Sequence, residues 1–332
     1  MASPKTAVRL EAERLCKEFP NVASRTLAKR LAKDFKCTIE QGRNMMRCIR
    51  GAYGKSHRSE STIAKARGKS GWKPSPPPKS LADPWTPFVI DGCKRVGVIS
   101  DVHIPYHSDI AFPVAVKELK RRKIDCLLIN GDFADFYTIS RHQKNPAKRD
   151  FRMERGLIAE GLAYLKGEFP KARIVYKYGN HEERWEHYLW NHAAEICDME
   201  TIQMSHWLEF ERLGIEHVED QRPVMVGKLP VMHGHELGKG ITSPVNPARG
   251  AFMRTIHTVL VGHHHRTSQH VEGDMWHDET AIWSTGCLCD MNPEYARVNK
   301  WNYGFACAEV DSKGSFNVDN MRISKAGVVR TS

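Results

Sequence analysis

Val96-Gly97-Val98-Ile99-Ser100-Asp101-Val102-His103 is an apolar run that stops on a carboxylate and an imidazole. A short apolar run of this kind reads as a strand buried on both faces, with polar residues standing where it ends. The pattern recurs along the chain. Asp125-Cys126-Leu127-Leu128-Ile129 runs into Asn130-Gly131-Asp132, and Arg173-Ile174-Val175-Tyr176 is followed by Gly179-Asn180-His181-Glu182. Residues 108–123 and 152–167 carry helix-period apolar positions between these runs. Alternation of strand and helix predicts an α/β core with parallel strands. In open α/β sheets ligands collect at the carboxyl ends of strands, so these polar groups are expected to converge. Two later runs repeat the arrangement, Val231-Met232-His233-Gly234 and Leu260-Val261-Gly262-His263-His264-His265. The second half is richer in strands, expected at 223–232, 258–261, 268–272, 279–284, 303–310 and 315–323, with one helix near 247–256.

A mixture of carboxylate, amide and imidazole groups suits borderline divalent ions, whereas magnesium and calcium sites are nearly all oxygen. Manganese takes first place, with iron(II) and zinc as alternatives. One such segment alone is weak, because a single histidine after a strand is usually a hydrogen-bonded structural residue. Five in order, each ending an apolar run, leave little to chance. Cys287-Leu288-Cys289 is the one close-spaced cysteine pair, and a lone pair is weak evidence for zinc.

The ordered motifs DxH, GDxxD, GNH[ED], HG and GHxH are met by Asp101/His103, Asp132/Asp135, Asn180-His181-Glu182, His233-Gly234 and Gly262-His263/His265. On them the chain resembles the calcineurin-like metallophosphoesterase superfamily, over roughly residues 94–320. DVHIPYH, GDFADFYTISRH, the arginine after GNHE and the late GCL resemble a phage or prophage-type branch. The resemblance implies a β-sandwich flanked by helices, in α/β/β/α layers. It implies that Asp101, His103 and His265 hold one metal ion and Asn180, His233 and His263 the other, with Asp132 bridging both. Two cations about 3.5–4 Å apart lower the pKa of a shared water and neutralise the phosphate oxygens that the resulting hydroxide attacks. His181 is the expected general acid for the leaving oxygen, oriented by Asp135, whose alternative role is a helix N-cap. Arg141, Arg184 and Arg266 follow motifs and are candidates for substrate phosphate, with surface ion pairs as the alternative. Tyr106, His107, His142 and His235 stand beside the motifs without an assignable role. Asp135 is followed by Phe136-Tyr137, where Ser/Thr protein phosphatases have Arg-Gly, which weakens a protein-phosphatase reading.

The 332 residues are 41% hydrophobic and 27% charged, as in a soluble globular protein, and no apolar stretch approaches the roughly 18 residues of a membrane helix. The first residues lack the apolar core of a secretory signal, and nine scattered cysteines suit reduced thiols. A cytoplasmic protein is expected, in the host cytoplasm if phage-encoded, with its oligomeric state open. The formal net charge is +11, and residues 1–80 hold 19 Lys+Arg against 6 Asp+Glu, so the whole excess sits at one end. Such asymmetry points to a polyanionic partner, DNA before RNA. The expected domains are a basic helix-turn-helix-like unit over 1–55, a basic Pro/Ser/Gly linker over 56–88 and a catalytic domain over 89–325. In the first, Leu27, Leu31 and Phe35 mark a helix, Thr38 and Gln41 form a capping box, and a third helix ends at Gly51. Arg43, Asn44, Arg47 and Arg50 on that third helix are the expected nucleic-acid contacts. Arg58, Lys65, Arg67, Lys69, Lys73 and Lys79 in the linker could track phosphates. The function expected is a binuclear phosphodiesterase of nucleic acid; the alternative is a phosphomonoesterase or protein phosphatase whose N-terminal unit recruits a protein.

Overall fold

The computed structural model describes residues 4–51, 76–82, 84–141, 145–148, 150–238 and 245–331. The chain divides into two compact units, Met1–Ala82 and Asp83–Ser332. Most of the expected linker, including Arg58, Lys65, Arg67, Lys69 and Lys73, lies outside the described residues.

The first unit is built on α1 (Pro4–Glu18), α2 (Ser24–Asp34) and α3 (Ile39–Ile49). Leu15, Leu27, Ala28, Leu31 and Met46 make its buried centre, with Phe19, Phe35 and Ile49 packed around them. The capping box forms as expected: Gln41 N donates to Thr38 Oγ1 at 3.1 Å and Thr38 N to Gln41 Oε1 at 2.9 Å. Gly51 follows α3 with φ 71°, the left-handed turn that ends many helices on glycine. Leu10 on α1 is 57% exposed. Arg50, an expected nucleic-acid contact, is engaged within the unit. Its guanidinium donates to Val22 O at 2.7 Å, Ser24 Oγ at 3.1 Å and Phe19 O at 2.9 Å, so its donors close the α1–α2 corner. Arg43 pairs with Glu40 at 3.2 Å, while Asn44 is exposed and Arg47 half-buried.

The second unit has the four layers expected. A seven-stranded sheet runs in the order β13 (Val329–Thr331), β12 (Phe316–Ile323), β11 (Tyr303–Val310), β2 (Arg95–Ile99), β3 (Cys126–Asn130), β4 (Arg173–Lys177), β5 (Ile215–Val218). Strands β2 to β5 are parallel, and β11 joins them antiparallel. A six-stranded sheet runs β1 (Phe88–Ile90), β6 (Val224–Val226), β7 (Leu229–Met232), β8 (Val259–Val261), β10 (Glu279–Ser284), β9 (Ser268–Gly273). Strand alternation sorts the core. Val96, Val98, Cys126, Leu128 and Val175 face Val224, Val231, Leu260 and Trp283 between the sheets. Ile99, Leu127, Ile129 and Ile174 point the other way, onto Leu119 of α4 (Ala111–Arg121) and Ile158 and Leu162 of α5 (Phe151–Glu168). The far face of the six-stranded sheet is covered by Ala248 and Ala251. Gly97 allows the close seat of α4, since a Cβ there would come within 2.9 Å of Leu119.

Three features differ from expectation. The run 223–232 is two antiparallel strands, β6 and β7, turned at Gly227 with φ 60°. Strands β1, β5 and β13, each three or four residues long, were unanticipated. The expected limits at 89 and 325 cut into ordered sheet, since β1 starts at Phe88 and β13 ends at Thr331.

Arg50→Ala removes three hydrogen bonds from a charged donor, so it is expected to lower the stability of the N-terminal unit by about 2 kcal/mol. Denaturant unfolding monitored on helical ellipticity measures this; an unchanged midpoint would contradict the corner role.

Candidate metal centre

The loops after β2, β3, β4, β7 and β8 leave their sheets on one side, and the sequence-predicted ligands meet there. Five of them occupy the left-handed backbone region: Asp101 (φ 56°), His103 (54°), Asp132 (53°), His263 (66°) and His265 (55°). Non-glycine residues rarely adopt it, each at a cost of about 1–3 kcal/mol, and such strain concentrates at functional sites. Gly131 and Gly179 permit the crossing of these loops. A Cβ on Gly131 would lie 2.5 Å from His233 Nδ1, and one on Gly179 would lie 2.4 Å from Asp132 Oδ1.

Asp132 is the hub. Its Oδ2 lies 3.2 Å from His233 Nε2, 3.8 Å from His181 Nε2 and 3.9 Å from His103 Nε2. Asp101 Oδ1 lies 3.1 Å from His265 Nε2, which is 3.3 Å from His103 Nε2. His233 and His263 pack edge-to-face with ring centroids 5.1 Å apart. The far ring nitrogens are held by acceptors: His233 Nδ1 donates to Asn130 O at 2.7 Å and His103 Nδ1 to Asp135 Oδ1 at 3.0 Å. Each bond turns the Nε2 lone pair inward, as a metal-ligating histidine requires. Asn180 Oδ1 is buried and without a hydrogen-bond partner, and Asp101 Oδ1 and His233 Nε2, also buried, have only the ion-pair contacts above and no bond of hydrogen-bond geometry. A buried polar atom so poorly bonded costs free energy, and a group of them at one site fits a cation-binding cluster.

Electrostatics agree. Burial pushes Asp101 and Asp132 up, but the facing imidazoles, His265 for Asp101 and His181 and His233 for Asp132, outweigh it and both carboxyls end low. Burial pushes His233 down, yet Asp132 and Asp101 raise it to about 10. For His265 the same contest with Asp101 ends at about 9. His263, lacking so close a carboxylate, falls to about 3 through burial and the charge of His233.

His181 and Asp135 are brought together, though by a different contact from the one expected. His181 Nδ1 donates to the main-chain oxygen of Asp135 at 2.8 Å, while the Asp135 carboxylate lies 3.4 Å away and bonds His103 more closely. No helix follows Asp135, so it is not an N-cap. Arg184 donates to His181 Nε2 at 2.8 Å and to Asp135 O at 2.7 Å. Arg266 is half-buried and donates to Val245 O at 2.9 Å; Arg141 is exposed, with no hydrogen bond to the cluster among the described residues. His142 lies outside the described residues, and His235 pairs with Glu183 at 2.8 Å.

Sequence reasoning assigned no role to three supporting residues. Glu182 is fully buried and accepts from the backbone N–H of Asp132 (2.8 Å), Phe133 (2.9 Å), Ala134 (3.1 Å) and Gly179 (2.8 Å) and from Tyr176 OH (2.7 Å). One carboxylate thus ties the β3 and β4 loops together. Glu236 accepts from His233 N at 3.0 Å and faces buried Lys177 at 2.9 Å. Cys289 Sγ lies 3.9 Å from His265 Nδ1, the nitrogen turned away from the cluster. The acidic residue of the GNHE motif was visible as a motif letter, but its five partners are set only by the fold.

The calcineurin-like phosphoesterase family profile matches residues 94–301, nearly two thirds of the chain. The protein belongs to that family, and it is a metal-dependent hydrolase of phosphoric esters. No curated protein gives a significant match. Among solved structures, vacuolar protein sorting 29 from Cryptosporidium parvum is 15% identical, covering 72% of this chain and 96% of its own at a TM-score of 0.38. A dimetal phosphatase from Danio rerio is 12% identical over 72% of this chain and 98% of its own, at 0.35. The nuclease MPE of Pseudomonas putida is 15% identical over 71% and 87%, at 0.31.

His233 and His265 carry protons near pH 7 when the site holds no metal, so a cation must displace them. Apparent affinity for Mn²⁺ is therefore expected to rise about tenfold per pH unit for each displaced proton between pH 6 and 8, with proton release in calorimetry. A pH-independent affinity without proton release would contradict the ligand assignment.

Proposed function

We propose that the protein is a binuclear phosphodiesterase of nucleic acid. The observation that carries this reading is the gathering of Asp101, His103, His233 and His265 around the Asp132 hub through contacts of 3.1–3.9 Å, with the buried Asn180 Oδ1 left without a hydrogen-bond partner. Asp101, His103 and His265 would hold one divalent ion, Asn180, His233 and His263 the other, and Asp132 both, with manganese favoured by the mixed nitrogen and oxygen donors. When bound, such a pair lowers the pKa of water and neutralises phosphate oxygens.

The remaining work belongs to the chain. His181 is poised to give a proton to the leaving oxygen. Burial lowers its pKa, but Asp132 and then Asp135 outweigh burial and leave it above the usual histidine value, the direction an acid needs. The Asp135 carbonyl fixes its Nδ1, while Nε2 accepts from Arg184; Nε2 would take up the acid proton only with Arg184 displaced onto a phosphate oxygen.

Nucleic acid as substrate rests on the N-terminal charge, and the helix that presents it is α2. Arg25, Lys29 and Lys33 recur every four residues on one exposed face, and none has a carboxylate partner among the described residues. Phosphate contacts of this kind release counterions and speed association with DNA. This reading keeps the protein in a cytoplasm, that of the host if it is phage-encoded, in agreement with nine free thiols. Among the described residues no helix is long and apolar enough to cross a membrane.

Asp132→Asn and His265→Ala are expected to abolish hydrolysis of bis-p-nitrophenyl phosphate, and wild-type rates in a metal-verified preparation would sink the binuclear site. His181→Ala is expected to lose at least about a hundredfold on poor leaving groups and far less on p-nitrophenolate; equal losses on both remove it from the acid role. Replacing Arg25, Lys29 and Lys33 together by alanine is expected to lower the slope of log affinity for DNA against log salt by about 2–3. An unchanged slope would assign the N-terminal unit to protein recruitment instead.

A further inference from the structure

Beside the Asp132 cluster a cavity of about 100 Å³ opens between the loop after β3 and the loop that follows β10. Its floor is His103, Asp135 and Cys289, so whatever enters it lies against the cluster. Its walls are aromatic: Tyr106, Tyr137 and Tyr295. Each is fixed relative to the ligands. Tyr106 N donates to His103 O at 2.6 Å, and Tyr106 O accepts from Asp290 N at 2.7 Å. Tyr137 packs edge-to-face on Tyr106 at 5.8 Å, and its hydroxyl donates to Glu294 Oε2 at 3.2 Å across the opening. Tyr295 lies 6.1 Å from Trp301, whose ring sits 4.1 Å from His265.

The rim decides what the slot accepts. Lys148 and Arg297 stand against Asp290 and Glu294, and Lys148 is already paired with Glu294. Two charges of each sign at the rim, with the Asp135 carboxylate on the floor, leave no net attraction for a second phosphate. Aromatic walls with a neutral rim instead suit an uncharged planar ring. The volume is far below the roughly 300–1,000 Å³ of sites that engulf whole ligands, which limits the occupant to one ring.

We infer that this slot holds the base of the nucleotide whose phosphate lies on the cluster, with a single-ring pyrimidine as its best occupant. The inference rests on the phosphoesterase reading of the same cluster and adds what recognises the nucleoside. Stacking on aromatic side chains is tolerant of sequence, which suits an enzyme acting along a strand.

The test is calorimetric titration of the full-length protein in Mn²⁺ buffer with thymidine 5′-phosphate, methyl phosphate and phenyl phosphate. Thymidine 5′-phosphate is expected to bind about tenfold more tightly than methyl phosphate. Tyr295→Ala, at an exposed position where folding is not at risk, is expected to erase most of that advantage and leave methyl phosphate unchanged, and Tyr295→Phe to preserve it. Equal affinity for the thymidine and methyl phosphates, or an equal loss for both in Tyr295→Ala, overturns the slot. Phenyl phosphate binding as tightly as the nucleotide also overturns it and assigns the walls to aryl phosphates. Turnover of bis-p-nitrophenyl phosphate, run in parallel, separates the two claims. Turnover without a base advantage sinks the slot alone, while a tyrosine-dependent base advantage without turnover sinks the phosphoesterase reading alone.

Discussion

Two carboxylates, Asp101 and Asp132, are buried at the meeting point of two sheets, and the structure around them answers that one electrostatic problem. An ionised carboxylate away from water is costly unless paired and hydrogen-bonded. Histidines supply part of the compensation, with His233 Nε2 3.2 Å from Asp132 and His265 Nε2 3.1 Å from Asp101. Asp132 and Asp101 raise His233 to about 10, so a proton there stands in for cation charge on the atom that would have to offer a lone pair to a metal. Asn180 Oδ1 remains without a hydrogen-bond partner, so protons alone do not complete the site.

The fold serves this cluster by bringing five strand ends to one side and letting their loops cross closely. Left-handed backbone at Asp101, His103, Asp132, His263 and His265 aims side chains inward at a steric cost that sheet packing must sustain. Glu182 is the fastening of that strain. Its five hydrogen bonds gather the Asp132 loop and the Gly179 loop onto one buried carboxylate, with Tyr176 completing the set. The layers below are ordinary by comparison, with valines and leucines alternating between the inter-sheet core and the helix-facing core.

Much of this was legible in the sequence because apolar runs and their polar ends are local signals. The runs 96–100, 125–129 and 173–176 fall on β2, β3 and β4, and Thr38 with Gln41 caps α3 as its spacing demands. What escaped depends on partners distant in the chain. Strands β1 and β5 are short and are strands by virtue of the neighbours they pair with, Val224–Val226 and β4. Arg50 looks like a surface cation until the α1–α2 corner presents three acceptors to it. Asp135 was expected beside His181, but that His103 takes its carboxylate and His181 its carbonyl follows from the turn after β3. The tyrosine slot has no motif at all, since it assembles from residues near 106, 137 and 295.

The central claim is that this cage grips two ions sharing Asp132. Electron paramagnetic resonance of the manganese-loaded protein, with metal content measured on the same sample, tests it most directly. Two ions per chain with an exchange-coupled spectrum are predicted, since ions about 3.5–4 Å apart share a bridge. One ion per chain, or two giving the uncoupled six-line signal of isolated manganese, would contradict it.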